Sequence, residues 1–364
     1  MTDKRINLIV DIVKMVLIIA IACALISVII LVASDTPADA IYGFFVGPFT
    51  SLRRTGNIIE AAAPLMFTAV AVIIIFRSGQ FSMISEGAFF IGATGAMVAG
   101  IALKLPPFAH PVVTILFGAL FGAIAAGIPA LLKYLWGVSE LVTSIMLNYV
   151  CLFVGLYVMS YHFRDTATTA FQSTKVHETA NLPVILKGTR IHAGIIIAIL
   201  VCVVVWFFLF RSRFGYKLRV TGDNASFAKY AGISAASVML IAQLIAGAVA
   251  GSGGAIEMVG MYGRFKWTAL PGYGWTGIVV ALLARRNPLL VPLSACFIAY
   301  LNVGADIMSR SSDISNEVVL VIQGVIMLLI AADALLDGWR QRMIVKSAEE
   351  ESKKQKEIAD QAVN

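Results

Sequence analysis

Long, uncharged apolar runs decide what this chain can fold into. Met15 to Ala33 and Gly194 to Phe210 contain no Asp, Glu, Lys or Arg. About 20 apolar residues cross a hydrocarbon layer of ~30 Å as a helix. The runs are continuous rather than alternating, which excludes a membrane β-barrel. Composition agrees: 59% of the 364 residues are hydrophobic and 13% are charged. Soluble domains carry about 45–50% apolar and about 25% charged residues. A soluble enzyme, a disordered chain and a disulfide-stapled secreted domain are all excluded. The fold class is all-α, a polytopic membrane helical bundle.

The hydropathy pattern predicts about ten transmembrane segments, at 15–33, 58–76, 84–103, 111–132, 139–160, 194–210, 236–256, 275–284, 289–304 and 317–336. The eighth is too short to cross alone and reads as half of a broken helix or the end of an irregular stretch. The first run exceeds the about 7–15 residues of a signal-peptide core, so it reads as a retained span. Residues 1–14 then form a cytoplasmic N-terminus, 15–336 the permeation domain and 337–364 a charged cytoplasmic tail. With this orientation the inside segments hold 18 of the 28 Lys and Arg residues and the outside segments 10. That bias follows the positive-inside rule. It also accounts for the net charge of +7 without nucleic acid.

Two loops are long. The outside loop 161–193 is polar and holds His162, His177 and His192. Their regular 15-residue spacing matches no metal-ligand motif, so no metal is expected and contact with an external partner is the better reading. Cys23, Cys151, Cys202 and Cys296 lie singly in apolar runs and read as small buried hydrophobes. The inside loop 211–235 contains Asp223-Asn224, able to cap a short helix from Ala225 to Ala231 that Gly232 ends. Phe227, Tyr230 and Ala231 share one face. Such a helix either lies on lipid or docks into a cytosolic subunit.

Acidic residues fall near span ends: Glu60, Glu86 and Glu140 open spans, and Glu257 closes one. At those positions they are expected to reach water or interfacial partners. No arginine row or mid-depth relay of acids appears, which argues against a voltage sensor or proton pump. Glu140, Thr143, Ser144 and Asn148 form one polar stripe at helical spacing. They either line a polar path or satisfy one another and neighbouring helices. Gln243 and Gln323 are deeper single amides, open to the same two readings. Gly118/Gly122 and Gly247/Gly251 make two GxxxG pairs suited to close helix packing. The glycine-rich stretch 251–276 reads either as a broken-helix vestibule or as a plain outside loop. The chain lacks the P-loop, HExxH and GxSxG motifs. By itself it therefore cannot bind and hydrolyse ATP through a P-loop, and neither a catalytic constellation nor a cofactor is read from it.

Several segments together resemble the permease subunits of bacterial ABC importers of the branched-chain amino acid, ribose and nucleoside group. They are Gly137-Val138-Ser139-Glu140 with Thr143-Ser144-Ile145-Met146-Leu147-Asn148-Tyr149, then Phe214-Gly215, Arg219, Gly222, Asn224 and Lys229-Tyr230-Ala231-Gly232-Ile233. Gly254-Ala255-Ile256-Glu257, Pro271-Gly272-Tyr273-Gly274, Asn287-Pro288 and Val321-Ile322-Gln323-Gly324 follow in the same order. The nucleoside permeases are the most similar group. At the third span the family commonly reads Phe-Asn-Ile-Gly-x-Glu-Gly-Gln, where this chain has Phe81-Ser82-Met83-Ile84-Ser85-Glu86-Gly87-Ala88. The resemblance implies a multi-pass subunit of the bacterial cytoplasmic membrane, paired with a second permease chain of the same or different sequence. It further implies cytosolic ATP-binding subunits and an external substrate-binding protein. A small polar solute, most of all a nucleoside, is expected. The substrate path is assigned to Glu86, Thr143, Ser144, Asn148, Gln243 and Gln323. Coupling to the ATPase is assigned to Asn224, Phe227, Tyr230 and Gly232. The alternatives are a permease for a monosaccharide and, in a different class, an ion-coupled carrier.

Overall fold

The computed structural model describes residue 24, residues 27–31 and 34–313, and five isolated positions between 318 and 328. The first and tenth predicted spans lie largely outside these residues, and Gln323 and the tail 337–364 lie entirely outside them. The chain divides into two compact units, residues 42–310 and the two flanking ends. In the flanking unit the Asp313 carboxylate accepts from the Ser34 hydroxyl at 2.6 Å, the Asp35 amide at 2.7 Å and the Thr36 hydroxyl at 3.0 Å. These donors favour the ionised form and hold its pKa down at about 2.

Among the described residues all regular structure is helical. Helix α1 spans Pro37–Phe45, α2 Leu52–Arg77, α3 Ser85–Ala102, α4 Ala109–Trp136 and α5 Glu140–Val158. Helix α6 spans Gly194–Arg211, α7 Arg213–Asp223, α8 Ala225–Tyr230, α9 Ala235–Glu257, α10 Tyr273–Leu283 and α11 Val291–Ser311. Helices α5 and α9 each run on through one π-helical turn, to Phe163 and Tyr262. Seven helical stretches are long and apolar enough to cross a membrane, and α10 is a shorter apolar helix. Each lies within a few residues of its predicted span. The short eighth span is thus a half-helix.

Small residues set the centre of the larger unit. The two GxxxG pairs face one another where α4 crosses α9. A Cβ on Gly251 would stand 2.9 Å from the Gly122 Cα and 3.1 Å from its nitrogen, and would also meet the Gly118 carbonyl. Gly247 likewise abuts the Gly122 carbonyl, and Gly92 brings α3 against the Gly251 Cα. In lipid, helix association rests on this close backbone approach rather than on hydrophobic exclusion. Helices α2 and α3 are enclosed on nearly all sides. By contrast, α4, α5 and α6 turn outward large apolar rows, among them Leu116/Leu120/Ile124, Val142/Met146/Phe153 and Ile196/Leu200/Phe207. Exposed rows of that kind match a lipid-facing surface.

Candidate functional site

The polar stripe on α5 does not face an open path; it grips the start of α3. The Asn148 side chain is 2% exposed. Its oxygen accepts from the Gly87 amide at 2.9 Å and its nitrogen donates to the Met83 carbonyl at 2.9 Å. The Ser144 hydroxyl accepts from the Met83 amide at 3.0 Å and donates to the Leu141 carbonyl at 3.0 Å. Thr143 donates to carbonyls of its own helix, those of Ser139 and Glu140. The N-terminal amides of any helix lack intrahelical acceptors. Here the acceptors come from a neighbouring helix, which fixes the turn 79–84 between α2 and α3.

Glu140, at the start of α5, is a hub. One carboxylate oxygen accepts from Gln80 at 2.6 Å and from Gln243 at 3.0 Å, and the other pairs with Lys133 at 2.9 Å. It therefore ties α4, α5, α9 and the 79–84 turn together. Gln243, expected on the path, is fully buried and spends its amide nitrogen here.

Glu86 has a different task from the one its position suggests. It is 1% exposed. One oxygen accepts from the Gly272 amide at 2.6 Å and the other from the Gly274 amide. A carboxylate on α3 thus caps the N-terminus of the half-helix α10, where the helix dipole favours negative charge. Gly272 sits at φ 81°, a left-handed conformation open to glycine. Gly274 is packed so that a Cβ would meet the Glu86 backbone at 2.5–2.8 Å. Glu86, Ser144 and Asn148, all expected to line the path, are instead bound to backbone.

Glu257 departs from the expectation that it reaches water, and Glu60, half-buried, lies deeper in its helix than expected. Helix α2 begins two turns before the predicted start, which places Glu60 well inside it. Helix α9 continues through its π turn past Glu257, which is 1% exposed. Both oxygens of Glu257 lack a hydrogen-bond partner. Neither residue was assigned to a site from sequence; only its identity as an acid within an apolar run signalled it. Next to them the chain from Met258 to Gly272 runs as a π turn and irregular backbone, with Gly263 at φ 62°. Tyr262 and Trp267 rings meet edge to face at 5.2 Å, and Phe89 lies 6.2 Å from Trp267 and 5.1 Å from Tyr273. The stretch 251–276 thus comprises the end of α9, its π turn, irregular chain and the start of α10.

The loop 161–193 closes over this region. Ser173 and Val176 donate to the Phe265 and Gly263 carbonyls at 2.8 and 3.1 Å, and Asp165 faces Arg264 at 3.5 Å. His110 bonds Thr179 at 2.7 Å, while His192 is buried and its Nδ1 accepts from the Gly194 amide at 3.1 Å. Burial pushes the His192 pKa down. Among the described residues no three potential metal ligands gather.

On the opposite side, the loop after α6 folds into α7 and α8. The Ser212 hydroxyl caps α7 by accepting from the Gly215 amide at 2.9 Å. The Asn224 side chain caps α8 by accepting from the Phe227 amide at 3.0 Å, and Gly232 follows at φ 75°. Ala228 is buried, whereas Phe227 is 59% and Tyr230 92% exposed. Helix α7 is the part that the sequence reading missed. Between α7 and α8 lies a cavity of about 700 Å³ whose lining includes Arg211, Arg213, Lys217, Arg219 and Phe227.

The family profile described as branched-chain amino acid transport system / permease component matches residues 54–331. The chain is 33% identical over 313 residues to the guanosine ABC transporter permease protein NupP of Bacillus subtilis, covering 84% of this chain and 89% of that one. It is 30% identical to the glucose ABC transporter permease protein TsgB13 of Haloferax volcanii, over 84% and 83%. It is 26% identical to the nucleoside ABC transporter permease protein NupB of Lactococcus lactis, over 92% and 94%. The chain belongs to this ABC permease family and is a multi-pass membrane protein of the cytoplasmic membrane. Membership sets aside the ion-coupled carrier.

Proposed function

We propose that this permease forms one half of the pore of an ATP-driven importer whose solute is a nucleoside. Cytosolic ATP-binding subunits drive it and an external binding protein feeds it. The similarity to the guanosine permease along most of both chains carries the substrate class. The glucose permease supports a second reading, a monosaccharide. Both kinds of solute are neutral and rich in hydroxyls.

The coupling role rests on α8. A capped six-residue helix cannot stabilise itself in isolation, and this one presents two aromatics to solvent. Exposed aromatics beside a basic cavity suit a protein partner with an apolar centre and acidic rim. Asn224 and Gly232 set the ends of the helix, and Phe227 and Tyr230 are its anchors. On this reading residues 211–235 lie in the cytoplasm with both termini, and 161–193 lies outside. Glu86, Ser144, Asn148 and Gln243 act on the path as positioning residues: the first three hold the backbone of the 79–87 turn and of α10, and Gln243 holds the Glu140 carboxylate, rather than touching solute.

Reconstitution of the chain with its ATPase and binding protein in proteoliposomes tests the assignment. ATP-dependent uptake of labelled guanosine is expected. Uptake of glucose but not guanosine moves the assignment to the second reading, and uptake of neither rejects both.

A further inference from the structure

Among the described residues the other buried carboxylates have partners. Glu86 receives two backbone amides and Glu140 receives Gln80, Gln243 and Lys133. Glu257 is as deeply buried as Glu86, yet both of its oxygens lack a donor. Stripping water from a carboxylate is costly when no hydrogen bonds replace it. A site that keeps such a group is one in which a ligand supplies the donors.

We propose that Glu257, with Glu60, Lys266, Tyr262 and Tyr273 in electrostatic reach, is a solute-contact subsite that binds the vicinal hydroxyls of a sugar ring. It rests on the import reading above and names how the pore recognises its solute. The two free oxygens can accept two adjacent O–H donors side by side, a geometry that a diol supplies. The titratable groups in electrostatic reach of Glu257 are Glu60 on α2, Lys266 on the irregular segment, and Tyr262 and Tyr273. Arg190, from the outer loop, faces Glu60.

The surroundings fit a ring-bearing solute. The Lys266 ammonium lies 3.8 Å from the Tyr262 ring centroid, so that ring is already part of a cation–π pair. Trp267 and Tyr273 add flat apolar surface beside the acid, as sugar and base faces require. The Asn57 side-chain oxygen, on the same α2 face as Glu60, is also buried without a donor. Above them a cavity of about 370 Å³, bordered by Thr189, Arg190, Tyr262, Arg264 and Lys266, lies on the outer-loop side. Its size falls within the about 300–1,000 Å³ of small-molecule sites. The backbone there is a π turn followed by irregular chain, which at membrane depth occurs where it borders a wet cavity.

The test uses the complete transporter in proteoliposomes, with guanosine, dideoxyguanosine and glucose each supplied at saturation of the external binding protein. Dideoxyguanosine lacks the vicinal ribose hydroxyls. The wild type should carry guanosine at least about tenfold faster at saturation than dideoxyguanosine, since a site built for hydroxyls rejects the analogue without them. Glu257→Gln, nearly isosteric, should slow guanosine by about tenfold and bring the two rates together. Guanosine transport at the wild-type rate by an assembled Glu257→Gln complex overturns the inference. If Glu257→Gln does not assemble with its ATPase, the wild-type rates decide: equal rates for guanosine and dideoxyguanosine overturn it. If the wild type carries glucose but not guanosine, the nucleoside assignment fails alone, and the effect of Glu257→Gln on glucose judges the subsite. Transport of neither overturns both.

Discussion

Replacing Glu86 with Gln should loosen the half-helix α10 from its N-terminus. In the wild type both carboxylate oxygens accept backbone amides, from Gly272 and from Gly274. An amide has one acceptor oxygen, and its NH2 group would point at an N–H it cannot bond. Hydrogen bonds to charged groups contribute about 1.5–3 kcal/mol each. A charge at a helix N-terminus adds about 0.3–1 kcal/mol. One bond and the charge are lost, so the local cost is roughly 2–4 kcal/mol. At about 1.4 kcal/mol per tenfold, the amides of Gly272, Gly274 and Trp275 should exchange hydrogen roughly 30- to 700-fold faster. Exchange at Gly122 and Gly251, in the α4–α9 crossing, should stay as it was. Hydrogen exchange with mass-spectrometric readout on the purified complex measures both regions. Unchanged exchange at 272–275 would show that α10 is held by its packing alone and that the capping role is wrong. A uniform acceleration across the protein would instead mean that Glu86 supports the whole bundle.

Other substitutions probe other contacts. Asn148→Ala removes two buried hydrogen bonds to the 83–87 backbone and leaves the Gly87 amide unpaired. A loss of about 2–4 kcal/mol follows, read as a lower thermal midpoint, and a wild-type midpoint refutes the grip. Gly251→Val drives a side chain into the Gly118 and Gly122 backbone, where overpacking costs at least about 1–3 kcal/mol; it should purify poorly or melt early, and normal yield and midpoint would contradict the crossing. Phe227→Ala with Tyr230→Ala should weaken ATPase retention by at least about 2 kcal/mol, near 30-fold; retention at wild-type affinity removes α8 from the interface. The buried His192 has its pKa pushed below the usual imidazole value. Its neutral form is therefore favoured by folding, and the stability it lends is present above about pH 6.5 and lost as pH falls below that value. The protection of the Gly194 amide should decrease from pH 7 to pH 5 and should become independent of pH in His192→Gln.

The spans were legible because each is an apolar run of the required length, and the α8 cap was legible because Asn224 and Gly232 are local signals. The opposed GxxxG pairs were readable as packing residues, although not as each other's partners: which glycine meets which depends on the path of the chain between 122 and 247. The α5 stripe shows the same limit more sharply. Helical spacing placed Glu140, Ser144 and Asn148 on one face, and that was correct. It left open what the face meets. The answer is the unpaired start of α3, whose donors need acceptors wherever the chain happens to bring them. Helix α7 was missed for a different reason. Its sequence, RFGYKLRVTGD, is mostly polar, so hydropathy marks it only as loop, although its Ser212 cap was a local clue.

The acids show why span boundaries matter to function. A carboxylate at a span end is unremarkable, because water or a headgroup solvates it. The same residue one or two turns inside is costly and calls for a partner. Six more helical residues ahead of the predicted start at 58, and six past the predicted end at 256, move Glu60 and Glu257 from the first class towards the second. Hydropathy alone undercounts such turns, since the acid itself lowers the local average and trims the predicted span away from it. The bias is systematic: an acid that a membrane protein keeps for its solute is the kind that span prediction pushes to the edge. Glu86 and Glu140 lie at the helix starts where the sequence put them, yet both are buried and structural, each satisfied by two or more donors. Burial therefore identifies Glu86, Glu140 and Glu257, and only the hydrogen-bond account separates Glu257, whose oxygens have no donor among the described residues, from the acids that the fold uses for itself.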